Sequence, residues 1–576
     1  MTIDHLPSTP VSRARMAGHI LVECLLAQGV DTVFGVPGES YLAVLDGLYE
    51  HRDRIRFVAC RHEGGAAFMA EAHGKLTGRP GVCMVTRGPG ATNASIGLHT
   101  AFQDSTPLIL LVGQVASDQR DREAFQEMDY RHMFGPGTLG LAKWVAEVHS
   151  AERLPEYMAR AYRTAMQGRP GPVVLALPED MLTTPTTAFP CPRVEPAQVW
   201  PAPQELQRAR ELLAAAQRPL VIVGGGGWTG ESTRALQQFA EAWHLPVGCG
   251  FRFQDTFDNA HPLYAGDVGI SINPKLAQRI RQADCILAVG VRLGEMTTSG
   301  YTLLEVPRPS QRLIHLHAGA EELGRVYQAD ISLQASLAQA GHLLASLAPP
   351  AVLPWKDWTE QAHADYLGNL LAEERNPMDL AAVIKTMQRL APADTVFTNG
   401  AGNAIGWLNR YVRYPALHHH GRTQLGCTSG AMGYGFPAAV AAALVQPHRT
   451  VVNVAGDGDF LMTGQEMATA KAEGARQLIC VVVDNGSYGT IRMHQEREYP
   501  GRVSGSELKN PDFAAMARAF GWRASTVNTT AEFEPEFSQA LAAGEPWLIH
   551  LKLPVDVITT RTTLQAIRQS ALAAGR

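Results

Sequence analysis

Short apolar runs alternate with longer amphipathic stretches along most of this chain of 576 residues. In the first third, Ala17–Gln28 has apolar residues at helical spacing, and Thr32–Gly35 is a short run of strand-forming residues. Further strands are predicted at Ile55–Cys60, Gly81–Thr86, Leu108–Gly113 and Val173–Leu177. This alternation predicts a parallel sheet that is covered by helices on both faces.

The same pattern occurs three times, separated by two proline-rich passages. Pro178–Pro203 and Ala348–Pro354 have no periodicity and are interpreted as linkers. The central segment opens with a strand and glycine turn at Arg218–Gly227. Later strands are predicted at Cys285–Gly290, Arg312–His317, Thr395–Thr398, Thr450–Ala455, Leu478–Asp484 and Trp547–Leu551, and the tail after Pro554 is predicted to be helical. We therefore predict an α/β chain with three doubly wound parallel-sheet domains, at residues 14–185, 200–347 and 375–555.

The composition of the chain argues against several classes of function and location. The chain is 45% hydrophobic and 18% charged with a net charge of −5, and without a basic stripe we expect no nucleic-acid partner. No apolar run reaches the roughly 18 residues of a membrane-spanning helix, so no membrane association is expected. Met1–Arg15 lacks the apolar core of a secretory signal, and eight scattered cysteines are typical of reduced thiols. These features predict a cytoplasmic protein.

One strand-helix-strand unit carries candidate metal ligands. The strand Thr450–Ala455 leads into Gly456-Asp457-Gly458, a helix is predicted at Thr463–Ala475, and the next strand ends at Asp484-Asn485. The carboxyl ends of parallel strands lie at one sheet edge, where ligands bind, and carboxylate and amide oxygens suit Mg²⁺. Gly-Asp-Gly alone is usually only a turn, but the 25 residues 459–483 between the two motifs favour a metal site.

A second candidate acid, Glu63, follows the strand Ile55–Cys60 at the start of a predicted helix. Gly64 and Gly65 leave space around its carboxylate. A carboxylate at a helix N-terminus is often only a cap, so the residues alone leave both a structural and a catalytic role open.

Together these motifs resemble the thiamine-diphosphate-dependent decarboxylase and carboligase family. The family signature is Gly-Asp-Gly followed after about 25–30 residues by Asn-Asn, and the chain also has matching segments at Arg61–Glu63, Val85–Asn93 and Gly430–Pro437. Within the family, the acetolactate synthase branch is indicated by Phe34–Gly38, Gly113–Val115, Ala124–Glu127, Lys143-Trp144 and Asn510–Phe513. The resemblance spans about residues 14–555 and implies pyrimidine-binding, central Rossmann-like and diphosphate-binding domains in that order.

The resemblance also implies roles for individual residues. The metal ligands would be Asp457, the side chain of Asn485 and the backbone oxygen of Ser487. Glu63 would hydrogen-bond N1′ of the aminopyrimidine, and Met432 would hold the cofactor in its bent shape. The rest of the cofactor seat is implied to comprise Gly400, Gly402, Gly430, Gly458, Asp459, Tyr488 and Gly489. On the substrate side, the implied residues are Phe125, Gln126, Arg292 and Ile491.

Three departures from the family pattern concern specificity and cofactors. Asp484 replaces the first Asn of the signature, and its carboxylate must pair with a donor or with the metal; the sequence does not decide which. Met493-His494 replaces the Gln-Trp pair that shapes the acceptor pocket. The glycine turn Gly224–Gly227 and Arg292 are compatible with a flavin-binding central domain, but His315–Glu321 lacks the usual acid, so FAD is left as an alternative.

The function predicted from the sequence is an acetolactate synthase-like carboligase that requires thiamine diphosphate and Mg²⁺. It would decarboxylate a pyruvate-like 2-oxo acid and transfer the remaining unit to a second carbonyl. A 2-oxo acid decarboxylase or a hydroxyketone or acyl-CoA lyase of the same family, and a non-catalytic paralogue, are alternatives. From another class, a nucleotide- or flavin-binding electron-transfer protein stays open. The resemblance implies a homodimer at minimum and favours a homotetramer.

Overall fold

The computed structural model describes residues 14–135, 140–371 and 378–575, and it contains three six-stranded sheets in succession along the chain. Every strand pair within these sheets is parallel, because each connection between paired strands crosses over one face. The prediction of three doubly wound parallel-sheet domains is confirmed. The predicted start at residue 375 lies outside the described residues, and the domain boundaries stay a prediction.

The N-terminal sheet has the strand order β3-β2-β4-β5-β7-β6, and a small antiparallel pair joins β1 to β8. Its strands are β1 Arg15–Met16, β2 Thr32–Gly35, β3 Arg56–Ala59, β4 Gly81–Val85, β5 Leu108–Gln114, β6 Trp144–Glu147, β7 Pro172–Pro178 and β8 Pro185–Thr186. Its helices are α1 Ala17–Ala27, α2 Leu42–Glu50, α3 Glu63–Thr77, α4 Pro89–Asp104, α5 Tyr130–Phe134, α6 Leu154–Met166 and α7 Glu179–Thr183. The interpretation of Pro178–Pro203 as a plain linker was wrong at its start, because α7 and β8 pack Met181, Leu182 and Thr186 into the domain.

The central sheet has the order β11-β10-β9-β12-β13-β14. Its strands are β9 Pro219–Val223, β10 Val247–Gly250, β11 Tyr264–Val268, β12 Cys285–Val289, β13 Arg312–His317 and β14 Ile331–Gln334. The accompanying helices are α8 Pro203–Ala214, α9 Gly230–Trp243, α10 Pro274–Gln282, α11 Leu337–Ala345 and α12 Lys356–Asn369. The strand β9 is completely buried and leads straight into the glycine turn Gly224–Gly227.

The C-terminal sheet has the order β16-β15-β17-β18-β20-β19. Its strands are β15 Val396–Asn399, β16 Gln424–Gly426, β17 Val451–Gly456, β18 Leu478–Asp484, β19 Arg523–Val527 and β20 Trp547–Lys552. The helices are α13 Leu380–Leu390, α14 Ile405–Tyr411, α15 Leu417–His420, α16 Gly435–Val445, α17 Asp457–Phe460, α18 Met467–Ala472, α19 Gly489–Glu498, α20 Phe513–Ala519, α21 Thr530–Ala543 and α22 Leu564–Ala573. The helix predicted over Thr463–Ala475 is therefore shorter than expected, because a 3-10 turn at Gly464–Glu466 precedes α18.

The N-terminal and C-terminal domains share one hydrophobic core. Helices α3 and α4 pack against each other and α3 packs against α16, whose contact faces consist largely of alanine and glycine. Small residues allow the helix backbones to approach closely, so the C-terminal domain fixes the position of α3. Within the described ranges, none of the helices is long and apolar enough to cross a membrane.

Register aligns the carboxyl ends of four neighbouring strands of the C-terminal sheet. Asn399 at the end of β15 pairs with Gly426 of β16 and Val454 of β17, and Gly456 pairs with Val483 of β18. The segments that follow these strands therefore meet at one edge, which is where ligands bind in open α/β sheets.

Candidate active site

A cavity of about 1160 Å³ lies at this edge and extends toward the other two domains. Most of the residues expected at the site line it, namely Arg292, Gly402, Gly430, Met432, Asp457, Gly458, Asp459, Asn485, Ser487, Tyr488, Gly489 and Ile491. Gly400 lies next to the lining residue Ala401 but does not itself line the cavity. Glu63, Phe125 and Gln126 of the same chain are also absent from its wall among the described residues.

Three glycines leave open space in this wall. A Cβ atom added at Gly402, Gly430 or Gly456 would meet no other heavy atom within 4 Å. Gly430 has a φ of 66°, a backbone conformation that favours glycine. Since nothing in the protein occupies the space before them, these glycines are available for close approach of a ligand to the backbone.

Asp457 is a buried acid of the cavity, and its carboxylate accepts hydrogen bonds from two donors. Its Oδ1 accepts from the Gly458 amide at 2.9 Å, and its Oδ2 accepts from the Asn510 side-chain amide at 2.7 Å. Burial raises the pKa of Asp457, and the neighbouring Asp484 raises it further. A bound cation would offset both effects, since opposite charge favours an ionised carboxylate.

The segment after β18 brings two further oxygen donors to the same cavity. The Asn485 Oδ1 atom accepts from the Ser487 amide at 3.1 Å, which closes a tight turn. The Ser487 hydroxyl donates to the Ser506 carbonyl at 2.7 Å and so ties this turn to a neighbouring loop. With Asp457, this turn provides the carboxylate, amide and carbonyl oxygens that suit Mg²⁺.

Asp459 joins two wall segments by accepting backbone hydrogen bonds. Its Oδ1 accepts from Ala401 at 3.1 Å and from Gly433 at 2.8 Å. Burial raises the pKa of Asp459 to about 6, and the two amides partly offset that rise. A Cβ at Gly400 would lie within 3.0 Å of this carboxylate, which explains the glycine there. Asp459, expected in the cofactor seat, thus holds the backbone of that seat.

Asp484 pairs with donors rather than standing alone beside the cavity. Its Oδ2 accepts from His550 at 2.8 Å and from Lys552 at 2.6 Å, and its Oδ1 accepts from Asn510 at 2.8 Å. Burial alone would raise the pKa of Asp484, but the hydrogen bonds from His550, Lys552 and Asn510 outweigh it and hold the pKa below its usual range. The orientation that the sequence left open is therefore toward β20.

A buried charge cluster fixes the loop that contains Gly430. Asp104, at the end of α4, accepts from the Thr428 amide at 2.7 Å and also binds Lys75. Lys75 donates to the Gly426 carbonyl at 2.8 Å. Sequence reasoning missed these residues, because separate charges in two helices give no signal until the domains pack together.

Glu63 begins α3 and accepts from the Asn93 side chain at 2.9 Å. The backbone just before it is held by the C-terminal domain, because Glu466 accepts from the amides of Arg61 and His62 at 3.0–3.2 Å. Glu466 is fully buried, and a Cβ at Gly65 would lie within 3.0 Å of its carboxylate. One of the two glycines expected to make room for Glu63 therefore makes room for Glu466.

Phe125 and Gln126 lie in a strained loop on the surface of the chain. Gln126 has a φ of 64°, which is uncommon for a residue with a side chain, and Phe125 is 73% exposed. Glu127 braces the loop by accepting from the Asp121 and Ala124 amides at 2.8 and 3.0 Å. Strained backbone and an exposed aromatic ring are features of a loop that meets a ligand or a partner.

Arg292 lines the cavity, but its guanidinium is already engaged. It donates to the Gln103 carbonyl and side chain, each at 3.1 Å, and lies 3.3 Å from the Glu322 carboxylate. Two glycines of the nearby turn have no room for a side chain, since a Cβ at Gly225 or Gly226 would lie within 3.0 Å of a backbone carbonyl oxygen. These central-domain glycines serve packing between backbones.

The tail after Pro554 contributes more than the helix that the sequence predicted. Residues 557–562 line the cavity before α22 begins. Arg568 of that helix binds Glu496 of α19 at 2.5 and 2.7 Å, and Glu496 is fully buried. This contact could not be predicted from local sequence, because the two residues lie 72 positions apart.

Comparison with known proteins supplies the family. Models of the thiamine pyrophosphate enzymes match residues 15–133 (N-terminal TPP binding domain), 206–344 (central domain) and 400–551 (C-terminal TPP binding domain). The chain is 33% identical to the acetolactate synthase isozyme 2 large subunit of Escherichia coli, with 92% of this chain and 94% of that protein covered. It is 30% identical to the acetolactate synthase large subunit of Corynebacterium glutamicum, with 93% and 87% covered.

Proposed function

Because the chain belongs to the thiamine pyrophosphate enzymes, we propose that it is an acetolactate synthase-like carboligase. It decarboxylates a pyruvate-like 2-oxo acid and joins the remaining unit to a second carbonyl compound. The observation that carries this proposal is the open glycine-lined cavity in which Asp457 and the Asn485–Ser487 turn meet Met432.

The cavity fits thiamine diphosphate and its metal. Gly402, Gly430 and Gly456 leave backbone accessible to phosphate oxygens, and Asp457, Asn485 and the Ser487 carbonyl would hold Mg²⁺. When bound, the cofactor would supply a thiazolium ring that acts as the sink for the electron pair released as CO₂ leaves. The chain itself contributes an apolar support at Met432 in the wall of the cavity.

The remaining catalytic residues come from a second copy of the chain. Glu63 would hold a proton at N1′ of the aminopyrimidine, and Phe125 and Gln126 would flank the substrate. Since none of the three lines the cavity of its own chain, the site needs another subunit to supply them. The relatives are named large subunits, which also supports an assembly, and we propose a homodimer at minimum and a homotetramer as the full form.

Flavin is a poor fit for the central domain. In the turn Gly224–Gly227, backbone oxygens occupy the position of an added side chain at Gly225 and Gly226, and Arg292 is bound to Glu322. The segment His315–Glu321 lacks the usual acid, and burial lowers the pKa of His317 in this segment to about 4, so it is neutral at pH 7. We expect thiamine diphosphate and Mg²⁺ but no FAD.

The acceptor pocket is the feature that separates this chain from its alternatives within the family. Ile491, on the first turn of α19, is 54% exposed, and Met493 contacts the Asn403 side chain at 3.6 Å. No acid stands at 491 to protonate an intermediate, which favours carboligation over simple decarboxylation or lyase chemistry. The eight unpaired cysteines, seven of which are buried, support a cytoplasmic location.

The experiment is to incubate the protein with pyruvate, thiamine diphosphate and Mg²⁺ and to separate the products. Acetolactate or acetoin is the expected product, and acetaldehyde as the sole product would replace the proposal with a decarboxylase. Glu63→Gln should lower the rate by about 100-fold or more, because it removes the proton-holding group. A wild-type rate in that variant would remove Glu63 from the mechanism.

Subunit mixing tests the shared site. Neither Glu63→Gln nor Asp457→Asn homodimers should be active. Mixed dimers would contain one site with both residues intact, so random 1:1 mixing should restore about a quarter of wild-type activity. If no activity returns although the mixed dimers form, Glu63 and Asp457 act within one chain.

A further inference from the structure

Asp484 is the position at which this chain departs from the family signature in its metal-binding segment. It is 6% exposed, and it does not line the large cavity. It lines instead a separate cavity of about 400 Å³ together with Lys552 and the chain after β20. The carboxylate is thus close to the metal-binding turn in sequence but faces the neighbouring strand.

Strand register makes the charge partners of Asp484 part of the sheet. Asp484 pairs with Lys552 across β18 and β20, and His550 lies two residues earlier on the same face of β20. The two side chains approach the same carboxylate oxygen, Oδ2, at 2.6 and 2.8 Å. This leaves Oδ1 facing the Asn510 amide and the Gly486 amide, at 2.8 and 3.1 Å.

Asn510 connects Asp484 to the buried acid of the cavity. The same Nδ2 atom donates to Asp484 at 2.8 Å and to Asp457 at 2.7 Å. An NH₂ group has two donor hydrogens, so one amide can serve both carboxylates at once. The amide orientation is thereby determined, because its oxygen cannot face either acid.

We propose that Asp484 is a positioning residue of the metal site that acts on Asp457 through Asn510, with Lys552 and His550 as its partners. The proposal rests on the metal-binding role of Asp457 in the proposed function. Asp484 and Lys552 together carry no net charge, so the carboxylate adds no unpaired negative charge beside the diphosphate. The substitution of Asp for Asn therefore leaves the cation site intact and adds a stronger, charge-assisted acceptor for Asn510.

An asparagine at 484 could not replace this carboxylate while Lys552 stays. Its single amide oxygen could face either Asn510 or Lys552, and its NH₂ group would then face the other donor. Removing the ammonium group as well would free the amide oxygen for Asn510. The effects of the two substitutions are thus expected to be non-additive.

The test compares wild type, Asp484→Asn, Lys552→Met and the double variant. The measured quantity is the Mg²⁺ concentration that half-saturates thiamine diphosphate binding, followed by tryptophan fluorescence. Asp484→Asn should raise it about 10-fold, as outer partners of metal ligands do. The double variant should return to within about 3-fold of wild type, since the couplings of adjacent residues are large.

Two controls distinguish positioning from general stability. Asp330→Asn removes a similar pair, in which Asp330 binds Arg312 at 2.7 Å in the central domain, and it should leave the Mg²⁺ requirement unchanged. The melting temperature without Mg²⁺ and cofactor is measured for every variant. Destabilised Asp484→Asn protein with a wild-type Mg²⁺ requirement would overturn the proposal, as would additive effects in the double variant. If wild-type protein binds no thiamine diphosphate, the proposed function itself fails.

Discussion

Glycine turns follow buried strands in both the central and the C-terminal domain, and they differ in what faces them. At Gly225 and Gly226, backbone oxygens of the protein occupy the position of an added side chain. At Gly402, Gly430 and Gly456, no heavy atom lies within 4 Å of that position. A glycine turn at a strand end therefore indicates a ligand only where the space before it is open.

The two sets of turns also differ in whether the charged side chain beside them has a partner of opposite charge. Beside the central turn, Arg292 already has an anionic partner within the protein, because it lies 3.3 Å from Glu322, a carboxylate that also binds Arg169 and Arg325. Beside the C-terminal turns, Asp457 is 3% exposed and has amide donors but no cationic partner among the described residues. An acid in that state favours a bound cation.

The largest expected effect is that of Asp457→Asn. Loss of the carboxylate removes a metal ligand, so the affinity for thiamine diphosphate in Mg²⁺ should fall on the order of 100-fold or more. Titration calorimetry with and without Mg²⁺ measures it. Unchanged, Mg²⁺-dependent binding would mean that the cation binds elsewhere.

A matched pair of alanine substitutions tests directly whether the space before each glycine is open to a ligand or occupied by the protein. Gly456→Ala places a methyl group in open space at a φ of −70°, so the apoprotein should keep its stability while cofactor affinity falls about 10-fold. Gly226→Ala places the methyl group against the Ser105 carbonyl, so it should destabilise folding by about 1–3 kcal/mol and leave affinity unchanged. The melting temperature and the cofactor affinity are measured for both variants. A loss of stability in Gly456→Ala together with a loss of cofactor affinity in Gly226→Ala would contradict these assignments.

A smaller effect concerns the tail that covers the C-terminal cavity. Hydrogen bonds from Arg568 lower the pKa of Glu496 to about 2, so the stabilisation from this pair is present above about pH 4.5 and is lost as the pH falls toward 2. Glu496→Gln should lower the melting temperature at pH 7 by a few degrees, and the difference from wild type should shrink below about pH 4. A difference that stays constant between pH 7 and pH 3 would exclude this ion pair as its cause.

The smallest expected effect is that of added FAD on the melting temperature. Purified protein should show no absorbance near 450 nm, and added FAD should not shift the melting temperature, because backbone oxygens occupy the space before Gly225 and Gly226. A yellow protein that loses activity when FAD is removed would contradict the assignment of the central glycines to packing.

Much of the fold could be predicted from the sequence, but the difference between the two sets of glycine turns could not. Buried strands such as β2, β13 and β18 were predicted with their observed bounds, because their apolar runs end in turn residues. Strands β16 and β19 were missed, since the sequences Gln424–Gly426 and Arg523–Val527 contain no run of large apolar residues. The prediction of three parallel-sheet domains is confirmed, as is the family.

The site could be predicted only as far as local motifs reach. Asp457 and Asn485 follow from motif and topology, and their roles stay predictions. The link between Asp484 and Lys552 spans 68 residues and depends on strand register, which local sequence does not reveal. Whether a glycine faces open space or a carbonyl likewise depends on packing between domains, as at Gly226 and Ser105.

The most direct measurement is a titration of thiamine diphosphate into cofactor-free protein at saturating and at zero Mg²⁺. We expect one cofactor per chain with Mg²⁺, and binding weaker by on the order of 100-fold without it, because the diphosphate is held chiefly through the cation at Asp457 and Asn485. Binding that is equally tight without Mg²⁺, or that disappears in Gly226→Ala but not in Gly456→Ala, would contradict the assignment of the cofactor to the open C-terminal turns.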